Sequence, residues 1–186
     1  TTPSGGGGGA EGMSSHTPGV TYQWEQTNDG DKFITVTVGV DTVGGQSTGV
    51  FYFDGVERPT LSAWRGRTYT FDQSDPSNAN YNNQYHPLML STGSDGDHNG
   101  HGHYNTGVTY KLDGVSVTMA NYVSGFTSAT TRQVIWDIPS DATGTLYYWC
   151  HFHTGQGNAL TTADSTWNTV SGATSASYTT GLTTFA

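Results

Sequence analysis

The sequence predicts an all-β fold, a sandwich or barrel of short strands, and three observations carry that expectation. Residues 32–38, Lys32-Phe33-Ile34-Thr35-Val36-Thr37-Val38, alternate large apolar with polar or short side chains, the period-2 signature of a half-buried strand. Further strand-sized runs follow, separated by Gly, Pro, Asn and Asp. No stretch carries a convincing helical period of 3.6. At 186 residues the chain suits one domain with extended arms, divided here as 1–19, 20–158 and 159–186.

Residues 1–19 form a low-complexity arm whose Gly5 to Gly9 run reads as a flexible coil. The β pattern starts at Val20, with Asp29-Gly30-Asp31 as a hairpin turn before the 32–38 strand. Val50-Phe51-Tyr52-Phe53 reads as the next strand, closed by the turn pair Asp54-Gly55. Thr68-Tyr69-Thr70-Phe71 follows, and then a turn-rich stretch over 72–84. Strands are expected at 88–91, 115–119, 133–138 and 145–149. The tail after 158 is rich in Thr, Ser and Ala but carries Trp167, Tyr178, Leu182 and Phe185, which suit capping the sandwich or pairing with a neighbouring chain.

Six Lys+Arg against fifteen Asp+Glu give a formal charge of −9, which leaves no basic patch for nucleic acid. No apolar run approaches the roughly 20 residues that span a bilayer. The single cysteine excludes an intrachain disulfide. A low-charge surface rich in Thr, Ser, Gly and Tyr fits an extracellular or virion-exposed location. No distinctive carboxylate pair stands out from the acidic turns, and a non-enzymatic role is expected.

The chemistry concentrates in Tyr147-Tyr148-Trp149-Cys150-His151-Phe152-His153-Thr154-Gly155-Gln156-Gly157. Cys150-x-x-His153-x-x-Gln156 offers a soft thiolate, an imidazole and a neutral amide oxygen, the donor types of a mononuclear copper site. A second imidazole must come from elsewhere. His86 is the best candidate, because it stands just ahead of the 88–91 strand and Pro87 keeps it extended. His151 points to the opposite strand face from Cys150, although an early turn of the loop would let it replace His153. The bland reading of Cys150 is a small buried hydrophobe.

The second half of the chain resembles a cupredoxin. In that family a mid-chain segment supplies the first histidine, and Cys-x-x-His-x-x-Met is one form of the short C-terminal ligand loop. Three segments, Arg65-Gly66-Arg67-Thr68-Tyr69-Thr70-Phe71-Asp72-Gln73-Ser74-Asp75, His86-Pro87-Leu88 and the run to Gly157, are similar to cupredoxin-like modules in structural proteins of marine phages and other aquatic viruses. The resemblance covers roughly residues 48–158. It implies a Greek-key β-sandwich and one copper held by His86, Cys150, His153 and Gln156, or the vestige of such a site. Gln156 replaces the usual methionine, and a harder axial donor favours Cu(II).

Asp95-Gly96-Asp97-His98-Asn99-Gly100-His101-Gly102-His103 reads first as a solvated loop, because its glycines leave its geometry open. His98, His101 and His103 are kept with His151 as secondary metal candidates. Three functions compete on these grounds. The first is a structural or assembly subunit of a virion or extracellular surface, associating with itself or other subunits through its arms. The second is a copper electron carrier, and the third is a glycan- or receptor-binding adhesin module.

Overall fold

The structure is a computed structural model that describes residues 30–142, 144–165 and 171, with the strand backbone at 25–26 and 168–169. The expected 1–19 arm and the aromatics Trp167, Tyr178, Leu182 and Phe185 lie outside the described residues. In chain order the elements are β1 (Glu25–Gln26), β2 (Lys32–Gly39), β3 (Val50–Phe53), β4 (Val56–Glu57), β5 (Leu61–Trp64) and β6 (Thr68–Asp72). Helix α1 (Pro76–Ala79), β7 (Leu88–Ser91), a 3-10 turn (Gly96–Asn99), β8 (Val108–Leu112) and β9 (Val115–Val117) follow. The chain continues through α2 (Met119–Gly125), β10 (Arg132–Asp137), β11 (Thr145–Cys150), β12 (Asn158–Ala163) and β13 (Asn168–Thr169).

The expected all-β sandwich is present. A seven-stranded sheet in the order β4-β3-β2-β6-β10-β8-β9 packs on a four-stranded sheet, β5-β12-β11-β7. Neighbours are antiparallel except β2 beside β6 and β12 beside β5. Both sheets lie in the compact unit Lys32–Ala163. In the other unit, β1 pairs antiparallel with β13, Glu25 opposite Thr169 and Gln26 opposite Asn168. The sandwich runs past the expected boundary at 158: β12 continues to Ala163 and buries Leu160 against β11.

Alternation builds the core. Ile34, Val36 and Val38 of β2, Tyr69 and Phe71 of β6, and Val134 and Trp136 of β10 all point inward. The two sheets meet through aromatics: Phe53 of β3 lies 4.3 Å, centroid to centroid, from Tyr148 of β11 and 5.4 Å from Phe71. Burying one such ring hides about 150–250 Å², worth roughly 4–6 kcal/mol at about 25 cal/mol per Å². Strand β7 is buried at every position, so its run Leu88-Met89-Leu90-Ser91 has no solvent face.

Two hairpins follow turn chemistry. Asp54-Gly55 joins β3 to β4 and Asp113-Gly114 joins β8 to β9, each pair at positive φ as a type I′ turn requires. The strand expected over 115–119 ends at Val117. There Thr118 caps α2, its hydroxyl accepting from the Asn121 N–H at 3.1 Å. Both α-helices span two turns or fewer, too short to print a helical period on the sequence.

The turn-rich 72–84 stretch hides a buried polar hub. The Gln73 amide donates to the His86 carbonyl and to Asn78 Oδ1, both at 2.8 Å. Its oxygen accepts from the Leu88 N–H at 2.8 Å and the Tyr122 hydroxyl at 3.0 Å. Asn78 in turn donates to the Val36 carbonyl at 2.7 Å, and its own carbonyl accepts from the His86 N–H at 2.8 Å. Gln73 and Asn78 are wholly buried, so each bond replaces one that water would have made. Gln73→Leu strands several of these groups and is expected to lower stability by at least about 2 kcal/mol, read from the urea unfolding midpoint.

Candidate metal centre

Two separate stretches deliver the donors. His86 precedes β7 and is gripped by its backbone, through Asn78 on the N–H and Gln73 on the carbonyl. Cys150 is the last residue of β11, and Leu88 lies opposite it in the β7–β11 ladder. Pairing these strands therefore brings the thiol beside the residues that follow His86. The chain then leaves β11 with the His151 N–H bonded to the Pro87 carbonyl at 2.9 Å.

The loop after Cys150 is closed by its neighbours. Asp95 Oδ1 accepts from the Gly155 N–H at 2.8 Å, Arg58 donates to the Gly155 carbonyl at 3.1 Å, and the Phe51 N–H donates to the Gln156 carbonyl at 3.0 Å. Gly157 passes so close to β11 that a Cβ there would lie 1.7 Å from the Tyr148 carbonyl oxygen. Only glycine permits that approach. The return swings His153 and Gln156 back over Cys150.

His86, Cys150 and His153 form the group among the described residues whose ligand atoms, all within 4.8 Å of one another, can hold a metal ion. Cys150 Sγ lies 3.4 Å from His153 Nδ1 and 3.8 Å from His86 Nδ1. The imidazole centroids are 4.7 Å apart. Gln156 Oε1 stands 3.0 Å from His86 Nδ1, while its amide nitrogen donates to the Thr48 carbonyl and hydroxyl at 3.3 and 3.0 Å. Those two bonds aim the amide oxygen into the centre. His86, Cys150 and Gln156 are fully buried and His153 is partly so.

Proton placement suits a cation. With a proton on Nδ1, His86 donates to Gln156 Oε1 and its Nε2 lone pair is left buried without a hydrogen-bond partner. Moving the proton to Nε2 frees Nδ1 to face Oε1 and Sγ, three lone-pair donors around one point. Burial holds the His86 pKa below its ordinary value, against the opposing pull of Gln156 and the Tyr81 carbonyl. Burial, and then His86 and His98, bring His153 down to about 4. Both imidazoles are thus neutral at physiological pH. Burial pushes the Cys150 thiol up to about 12, although the Phe152 and His153 backbone N–H groups favour the thiolate. A metal ion held by His86, Cys150 and His153 would supply the positive charge that favours the thiolate.

His151 stays outside this group. Its ring packs against Phe152 at 4.7 Å, His103 at 5.7 Å and Trp149 at 6.2 Å, on the other side of the strand from the thiol. His98 Nε2 donates to the Cys150 carbonyl at 3.2 Å, and His103 Nδ1 pairs with Asp97 Oδ2 at 3.0 Å. His101 is exposed beside Gly93. Sequence reading missed Gln73, Asn78 and Thr48, which orient the donors without contributing one. The only cue was polar residues placed next to strand ends, and surface turns share it.

The metal-free protein should be most stable between about pH 6.5 and 9. His153 binds fewer protons folded than unfolded between 6.5 and about 4, so its contribution is intact above 6.5 and lost as pH falls through that window. Cys150 keeps its proton to about 12 folded against 9.0 unfolded, so its contribution is intact below 9.0 and lost as pH rises. Urea midpoints from about pH 4 to 10 should trace the acid limb and the start of the alkaline one, and Cys150→Ala should remove the loss between about 9 and 10, below the range where the buried Tyr110, Tyr122 and Tyr148 add theirs. No protein-family model matches the chain, and no curated protein matches it.

Proposed function

We propose that the protein is a non-enzymatic, cupredoxin-like module that binds one copper ion and serves as a structural or assembly subunit of a virion or extracellular surface. The observation that carries the copper reading is the convergence of two imidazole nitrogens, one thiol and one amide oxygen in a buried pocket. A thiolate with two imidazoles selects copper over hard cations such as calcium or magnesium, which prefer all-oxygen sites. The adjacency of β7 and β11, with His86 two residues ahead of β7 and Cys150 ending β11, supports the relationship to cupredoxins and its Greek-key connectivity.

Each residue has a separable task. Cys150 supplies the soft donor, His86 and His153 the two imidazoles, and Gln156 a weak, harder oxygen that favours Cu(II). Thr48, Gln73 and Asn78 fix these donors in place before any ion arrives. Copper bound there supplies a single-electron couple, and a ligand that binds only the folded chain stabilises it by mass action. The sequence supports assembly through its Gly-rich 1–19 arm and Thr/Ser-rich tail. No helix among the described residues is long and apolar enough to cross a membrane.

A second reading, electron transfer, is favoured by one observation. His153 is only partly buried, and the adjacent Phe152 is 40% exposed, which places one donor ring near an apolar surface.

Added Cu(II) should give an intense visible charge-transfer band and raise the unfolding temperature, with both effects lost in Cys150→Ser. A colourless protein with an unchanged unfolding temperature sinks the copper reading. Separately, deleting residues 1–12 should convert sedimenting oligomers into monomers. If the full chain already sediments as a monomer, the assembly role fails and the electron-carrier reading takes its place.

A further inference from the structure

A second histidine cluster lies on the opposite face of β11 from the thiol, built from the loop over 95–103 and His151. Its floor is Trp149, wholly buried, with the His103 ring at 5.0 Å and the His151 ring at 6.2 Å. His103 is fixed by Asp97, whose Oδ2 accepts from Nδ1 at 3.0 Å, and its side chain is only 12% exposed. That bond puts the proton on Nδ1 and leaves a lone pair on Nε2. His103 Nε2 is buried and has no partner, and neither has the buried His151 Nδ1. Two buried imidazole nitrogens without partners, on rings whose centroids are 5.7 Å apart, are costly unless something satisfies them.

We propose that His103 and His151, with Asp97 orienting His103, form a second metal site for a divalent transition ion of the zinc or copper(II) class. At a metal–nitrogen distance of about 2.0–2.1 Å, two imidazoles on one ion have ring centres about 5–6 Å apart. His103 and His151 are 5.7 Å apart at an interplanar angle of 40°. A carboxylate behind a ligating imidazole fixes its tautomer and raises its basicity, and Asp97 holds that position. The half-exposed loop leaves the remaining coordination positions to solvent, as in an open site. His98 takes no part, because its Nε2 proton is given to the Cys150 carbonyl. His101 stands exposed, away from the pair. This site does not depend on the occupancy of the first, and the net charge of −9 draws cations to the surface.

Zinc alone is the probe, titrated into the ¹⁵N-labelled full chain carrying Cys150→Ser, with each histidine ring followed by NMR. The His86 and His153 rings report the first site separately. The His103 and His151 resonances should shift together and saturate, and His103→Gln should abolish the His151 response. Asp97→Asn should keep the fold and weaken binding by about 10- to 100-fold. Shifts confined to His86 and His153, or to the exposed His98 and His101, overturn the proposal. So does a His151 response that survives His103→Gln, or zinc-independent pairing of the two rings through water. Should His103→Gln fail to fold, unchanged zinc affinity in Asp97→Asn counts against the site equally.

Discussion

A buried glutamine holds the molecule's working parts in register. Gln73 has no solvent contact, and both ends of its amide are used: the nitrogen on His86 and Asn78, the oxygen on Leu88 and Tyr122. An amide in this position is costly unless every group is paired, and here the pairing joins four elements at one point. Strand β6 ends at it, α1 follows it, β7 starts from it and α2 lays Tyr122 against it. His86 is thereby anchored by its backbone, which leaves its ring free for chemistry.

The thiol side is set by a different constraint, the close return of the chain after β11. Cys150 ends the central strand β11, paired there with Leu88 of β7, and the loop must fold back tightly enough to place Gln156 over it. Gly157 makes that possible by letting the backbone pass against the Tyr148 carbonyl. Asp95, Arg58 and Phe51 then close the loop through its backbone groups. The centre is consequently preformed, with His86 and the 151–157 loop held through their backbone groups and Gln156 through its amide nitrogen. Such a scaffold suits the proposed copper ion, whether it acts as a stabiliser or as a single-electron couple.

Strand alternation divides the histidines between two environments. Cys150 faces the first site while His151, one residue on, faces Trp149 and the 95–103 loop. Asp97 and His103 belong to that second face, although composition alone makes their loop look like solvated turn. What separates the two descriptions is burial. His103 is pressed onto Trp149, whereas His98 and His101 remain exposed.

The sequence by itself determined the β class, most strands and the candidate donor residues, because period-2 alternation, turn pairs and ligand spacing are local signals. Lys32 to Val38, Asp54-Gly55 and Cys150-x-x-His153-x-x-Gln156 were all legible for that reason. Strands β5, β8 and β12 were not, since Thr-rich runs such as Asn158–Ala163 look the same in a tail and in a sheet. Nor were α1 and α2, which are too short for periodicity and are fixed by the Asp75 and Thr118 caps and by packing. The tertiary structure alone decided that His153 rather than His151 joins His86 and Cys150, and that Gln73 and Thr48 orient the centre. Those choices depend on which strands pair and on what each group loses on leaving water, and neither is written in any short stretch of chain.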